Sequence, residues 1–118
     1  MKLLRLLPAL FWLVLWSDAA SAHAIVLTSK PGPAETVRGD ALEIEIRFNS
    51  RIDAARSSLR LFKPEGGAVA LAPADAASDD TLKATATGLA PGAYRLHWQT
   101  LSPDGHISQG DIPFVMSR

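Results

Sequence analysis

Leu42-Glu43-Ile44-Glu45-Ile46-Arg47-Phe48 alternates apolar and charged residues without a break. Successive side chains of an extended chain point to opposite faces. Leu42, Ile44, Ile46 and Phe48 therefore share one face, and Glu43, Glu45 and Arg47 the other. A strand of this kind buries one side and wets the other, as strands of a sandwich or barrel do. No stretch C-terminal to it sustains the three-to-four spacing of an amphipathic helix. Short runs recur instead, separated by Pro, Gly, Asp and Ser.

Taken in order, those runs predict strands over 24–29, 35–37, 42–48, 59–63, 68–71, 81–87, 94–101 and 107–116. Pro64-Glu65-Gly66-Gly67 reads as the turn of a hairpin. Asp53-Ala54-Ala55 suggests one helical turn, and the alanine-rich acidic stretch 72–80 a mobile surface loop. Gly110 and Pro113 suggest a bulge or an edge position in the last strand. Leu89-Ala90-Pro91-Gly92-Ala93-Tyr94 has two readings. Tyr94 is either an ordinary strand-entry residue or the corner tyrosine of an immunoglobulin-like sandwich, whose hydroxyl bonds back to the preceding loop. The expectation is an all-β chain: an immunoglobulin-like Greek-key β-sandwich of seven to eight short strands.

The N-terminus carries a different signal. Lys2 and Arg5 precede an apolar run, Leu6 to Trp16, and Ala20-Ser21-Ala22 follows it. This is the pattern of a secretory signal peptide cleaved after Ala22. The run is shorter than the roughly 20 residues needed to span a bilayer, although an uncleaved anchor is the competing reading. Processing leaves one domain, residues 23–118, exported from the cytoplasm. Loss of Lys2, Arg5 and Asp18 leaves ten basic and eleven acidic residues, a formal charge of −1. So balanced a chain points to neither nucleic acid nor an anionic membrane surface. The absence of cysteine excludes a disulfide framework, a thiolate metal site and a cysteine nucleophile.

Cleavage after Ala22 would begin the mature protein at His23, placing a free α-amino group beside an imidazole. Together these can chelate one metal ion, which displaces the amine proton near neutral pH. Two further donors stand in Ser102-Pro103-Asp104-Gly105-His106, where Asp104 and His106 are two residues apart. In extended chain such residues share a face. If the sandwich brings its N-terminal strand to this turn, the site is His23, Asp104 and His106, with three nitrogens and one oxygen. That set suits Cu(II), which favours tetragonal N,O coordination, and leaves Zn(II) and Ni(II) open. His97 alternates with Trp98 and is expected on the solvent face, outside the site.

The mature chain resembles the CopC-type periplasmic copper-binding proteins. The resemblance is carried by His23-Ala24 after the leader, Ser29-Lys30-Pro31, the Leu42–Phe48 strand and Leu89-Ala90-Pro91-Gly92-Ala93-Tyr94. Its strongest part is Trp98-Gln99-Thr100-Leu101-Ser102-Pro103-Asp104-Gly105-His106, continuing to Gly110 and Phe114. It implies a non-enzymatic carrier or buffer holding one Cu(II) per chain through His23, Asp104 and His106. It also implies a CopD-like inner-membrane copper transporter as partner. A monomer is expected. Two departures stand out. Some members build a Cu(I) site from methionines in a mid-chain loop, whereas 72–80 has none, and Met116, the mature chain's single methionine, is expected in the core. Many members also carry a glutamate soon after the phenylalanine of the third strand, whereas Phe48-Asn49-Ser50-Arg51 has no acid before Asp53. Two other functions compete. One is a copper oxidative enzyme of the N-terminal-histidine type, and the other a metal-free partner-binding module.

Overall fold

The structure is a computed structural model and describes residues 24–76 and 78–118. The leader, Met1 to Ala22, and His23 lie outside the described residues. Among those described, eight strands are present: β1 Val26–Lys30, β2 Glu35–Arg38, β3 Leu42–Phe48, β4 Ser58–Phe62, β5 Ala68–Leu71, β6 Thr81–Ala86, β7 Gly92–Leu101 and β8 Ile107–Ser117. A single 3₁₀ turn, Ala54–Arg56, is capped by Asp53, whose side chain accepts from the Arg56 N–H.

The strands form two sheets, in the orders β1-β3-β6 and β2-β8-β7-β4-β5. Only β4–β5 and β7–β8 connect neighbours within a sheet; the other connections cross from one sheet to the other. This is the expected immunoglobulin-like sandwich. All pairings are antiparallel except β2 with β8, which is parallel.

The alternation of β3 is realised residue by residue. Leu42, Ile44, Ile46 and Phe48 are buried, and the charged residues between them are exposed. They pack with Leu82 and Ala84 of β6 against Leu59 and Leu61, Leu96 and Trp98, and Ile112, Phe114 and Met116 of the other sheet. Phe48 meets Trp98 edge-on, with ring centroids 5.0 Å apart. Met116 is a core residue, as expected. Tyr94 is a corner tyrosine: its hydroxyl donates to the Ala90 carbonyl at 2.7 Å, and its ring stacks on Phe114.

Of the two readings for Gly110 and Pro113, the edge position is the one the structure has. The last strand contains no bulge, because β7 and β8 pair in unbroken register from Gly92↔Met116 to Leu101↔Ile107. Its first half is an edge, since β2 pairs only with residues 114–117. Gly110 serves packing: a Cβ there would stand 2.7 Å from Trp98 Cζ2. The stretch 72–80 is also tied to the sheets. The Ala74 N–H donates to the Lys83 carbonyl, and the carbonyls of Asp79 and Asp80 accept from Ile52 and Phe48. Asp80 also accepts from the hydroxyls of Ser78 and Thr81, which, with a smaller contribution from Arg47, hold its carboxyl below the ordinary 3.8.

Gly110→Ala is expected to destabilise the fold by about 1–3 kcal/mol, the usual cost of overpacking a filled core. Denaturant unfolding followed by Trp98 emission measures it, and a midpoint matching the parent would show that Trp98 does not need the missing Cβ.

Candidate metal centre

The β7–β8 hairpin turns at Ser102-Pro103-Asp104-Gly105-His106. The Gly105 N–H donates to the Ser102 carbonyl at 2.9 Å, and the Ser102 N–H to the His106 carbonyl at 2.8 Å. This is a three-residue hairpin loop, built as a β-turn followed by one left-handed residue. The sequence suits it. Serine favours the first turn position, and proline pre-sets the second. Gly105 takes φ +92°, where an L side chain would be strained.

The turn brings Asp104 and His106 together, with Asp104 Oδ1 and His106 Nδ1 3.1 Å apart. The extended-chain spacing expected them on one face; the reversal at Gly105 is what joins them. Ser102 organises both. Its hydroxyl donates a short bond to Asp104 Oδ1 and accepts from the His106 N–H at 3.0 Å. Both side chains remain more than half exposed. The Ser102 bond, followed by the His106 bond, lowers the Asp104 carboxyl from 3.8 to about 2. Asp104 is thus an anion under all ordinary conditions. A carboxylate can only accept, so the hydrogen between these atoms belongs to Nδ1. Two donors at right angles, each about 2.0–2.1 Å from a small divalent ion, lie about 2.9 Å apart. The observed separation fits neighbouring positions on one ion, which would take the place of that proton.

The third expected ligand, His23, lies outside the described residues, but the residue after it is placed. The Ala24 N–H donates to Ser108 Oγ at 2.9 Å, and Ser108 is two residues beyond His106. The Ile25 N–H donates to Asn49 Oδ1, also at 2.9 Å. Among the described residues no group of three or more His, Cys, Asp or Glu gathers as a metal site would. Asp104 and His106 therefore form a two-residue pair on the edge of the fold.

The remaining candidates have other partners. Asp53, the first acid after Phe48, caps the 3₁₀ turn, and Arg51 pairs with Asp79 at 3.1 Å. His97 lies on the outer sheet face as expected, but it is half-buried and its Nδ1 is 2.8 Å from Asp111 Oδ1. That bond, with a smaller contribution from Arg95, lowers the Asp111 carboxyl from its ordinary value. Ser102, Ser108 and Asn49 were not singled out from sequence. Only Ser102 had a local signal, its place at the head of a Pro-Asp-Gly turn.

Residues 26–117 match the CopC domain family. Copper transport protein CutJ of Bacillus subtilis (strain 168) is 26% identical over 113 residues, which cover 92% of this chain. This chain spans only 21% of that protein's length. The crystal structure of CopC from Methylosinus trichosporium OB3b is 26% identical, covering 80% of this chain and 94% of that one, with a TM-score of 0.74. PcoC, a methionine-rich copper resistance protein from Escherichia coli, shares the fold at 22% identity and a TM-score of 0.65, covering 80% of this chain and 99% of its own. A sandwich of this topology, bearing the Asp-Gly-His turn and matched from its first strand through residue 117, belongs to the CopC domain family.

Proposed function

We propose that the processed chain, residues 23–118, is a periplasmic carrier or buffer that holds one Cu(II). Its ligands are the amine and imidazole of His23, the carboxylate of Asp104 and the imidazole of His106. The observation that carries this reading is the tie between Ala24 and Ser108. It anchors the residue after His23 two positions along the chain from His106, itself 3.1 Å from the Asp104 carboxylate. Three nitrogens and one oxygen suit Cu(II) better than the tetrahedral ions. The kinship with proteins described as copper transport and copper resistance proteins supports the same cargo.

An exposed, preformed pair suits exchange of cargo. Asp104 and His106 stand at the rim of the sandwich, where a second protein can approach. The relative that is several times longer is itself a copper transport protein, which favours delivery to a CopD-like inner-membrane transporter. The chain acts as a monomer and as a carrier rather than an enzyme. Trp98 is packed in the core against Phe48, so it contributes nothing to a flat aromatic face of the kind that a polysaccharide-oxidising enzyme uses.

Titration of the processed protein with Cu(II) should saturate at one equivalent and quench Trp98, the one tryptophan left once Trp12 and Trp16 are removed with the leader. His23→Ala, Asp104→Ala and His106→Ala should each weaken binding by at least about tenfold. A chain that retains its leader should lose the His23 amine as a ligand. Parent affinity in the unprocessed chain would sink the site.

Acid should release copper, because protons compete for the nitrogens. The Asp104 carboxylate is not what fails. With its value lowered to about 2, its favourable interactions are complete above about pH 3.8 and lost only as pH falls through about 2. Ser102→Ala should raise the Asp104 value back toward 3.8, as read by an NMR titration of the carboxyl carbon. No rise would show that the hydroxyl does not stabilise the anion.

A further inference from the structure

The N–H groups of the first two described residues are both taken by side chains, outside the sheet ladder. The Ala24 N–H donates to Ser108 Oγ of β8 at 2.9 Å, a partly buried bond across 84 positions of sequence. The Ile25 N–H donates to Asn49 Oδ1 at 2.9 Å, and the Asn49 N–H returns a bond to the Ile25 carbonyl, again at 2.9 Å. Regular strand begins only at Val26, and the pairing of β1 with β3 shifts register between Val26 and Thr28. The segment therefore departs from regular pairing and is tied to both sheets. Ala24 itself is buried while Ile25 is exposed.

We propose that Ser108 and Asn49 are positioning residues for the metal site: they hold Ala24 and Ile25 so that the residue ahead is delivered to the Asp104–His106 turn. This rests on the reading of His23 as the processed N-terminus. The physical need is entropic. A chain terminus that must be ordered when it binds an ion loses backbone freedom at that moment. The two side chains remove that freedom when the domain folds, before the ion arrives. They also set register. In the proposed processed chain His23 alone precedes the Ala24 anchor, and successive Cα atoms are about 3.8 Å apart, so the anchor limits its reach. One extra residue in front of His23 would leave the anchors intact but turn the chelating amine into an amide.

The test uses the processed protein with Cu(II) as the only probe. Affinity comes from competition titration, ligand geometry from the Cu(II) EPR spectrum, and tethering from amide hydrogen exchange at Ala24 and Ile25 without metal. Ser108→Ala and Asn49→Ala should each lower affinity about tenfold, alter the EPR spectrum and speed exchange at these two amides. Ser108→Thr, which keeps the hydroxyl, should restore all three. Affinity within about twofold of the parent in Ser108→Ala and Asn49→Ala, together with lost binding in His106→Ala, would overturn the positioning role and leave the metal site standing. Parent binding in His106→Ala would overturn the site itself. Should Ser108→Ala fail to fold, Asn49→Ala tests the tether from the other sheet, and parent affinity there overturns the proposal.

Discussion

Phe48 stands edge-on to Trp98 across the gap between the two sheets, and the end of the molecule that carries the turn is assembled around that contact. Phe48 is the last residue of β3, and its N–H bonds to Asp80 at the mouth of β6. Trp98 lies three residues before the end of β7 and leans over Gly110 of β8, where a Cβ would stand 2.7 Å from the ring. An aromatic pair contributes about 0.5–1.5 kcal/mol beyond its burial, so geometry matters here as much as energy. The rings lock β3, β7 and β8 at one end, and from that end Asn49, the Asp-Gly-His turn and Ser108 project.

On this rigid base the site is electrostatically prepared but left open. One serine hydroxyl, within the turn itself, lowers the Asp104 carboxyl and holds the His106 backbone. The pair is half exposed, so a cation bound as proposed would meet an ionised oxygen and an imidazole without burying either. A buried pair would carry a desolvation penalty. On the rim that penalty is small, and the proposed release to a second protein would face no barrier of burial.

Much of the fold was legible because its signals are local. The β3 alternation and the Pro64–Gly67 hairpin each lie within about ten residues, whereas the choice between the two readings of Tyr94 needed its bond to the Ala90 carbonyl. Gly110 and the acidic stretch were only partly legible, for the opposite reason. A strand glycine has the same sequence signature whether it permits a bulge or receives an indole ring from the neighbouring strand. The alanine-rich segment shows no pattern, yet its backbone is tied to Phe48, Ile52 and Lys83. Asp53, the first acid after Phe48, proved to be the cap of the 3₁₀ turn.

Local sequence was enough for the sandwich class and for the residue types at 23, 104 and 106 on which the proposed site rests. These follow from side-chain period, from proline and glycine dihedrals, and from the chemistry of imidazole and carboxylate. Only the tertiary structure decided that Asp104 and His106 sit 3.1 Å apart and that Ala24 bonds to Ser108 across 84 positions. Serine and asparagine are ordinary surface residues until a fold brings a backbone N–H to them. Such hydrogen bonds depend on strand order and register, which are set by the packing of the whole core rather than by any one stretch of chain.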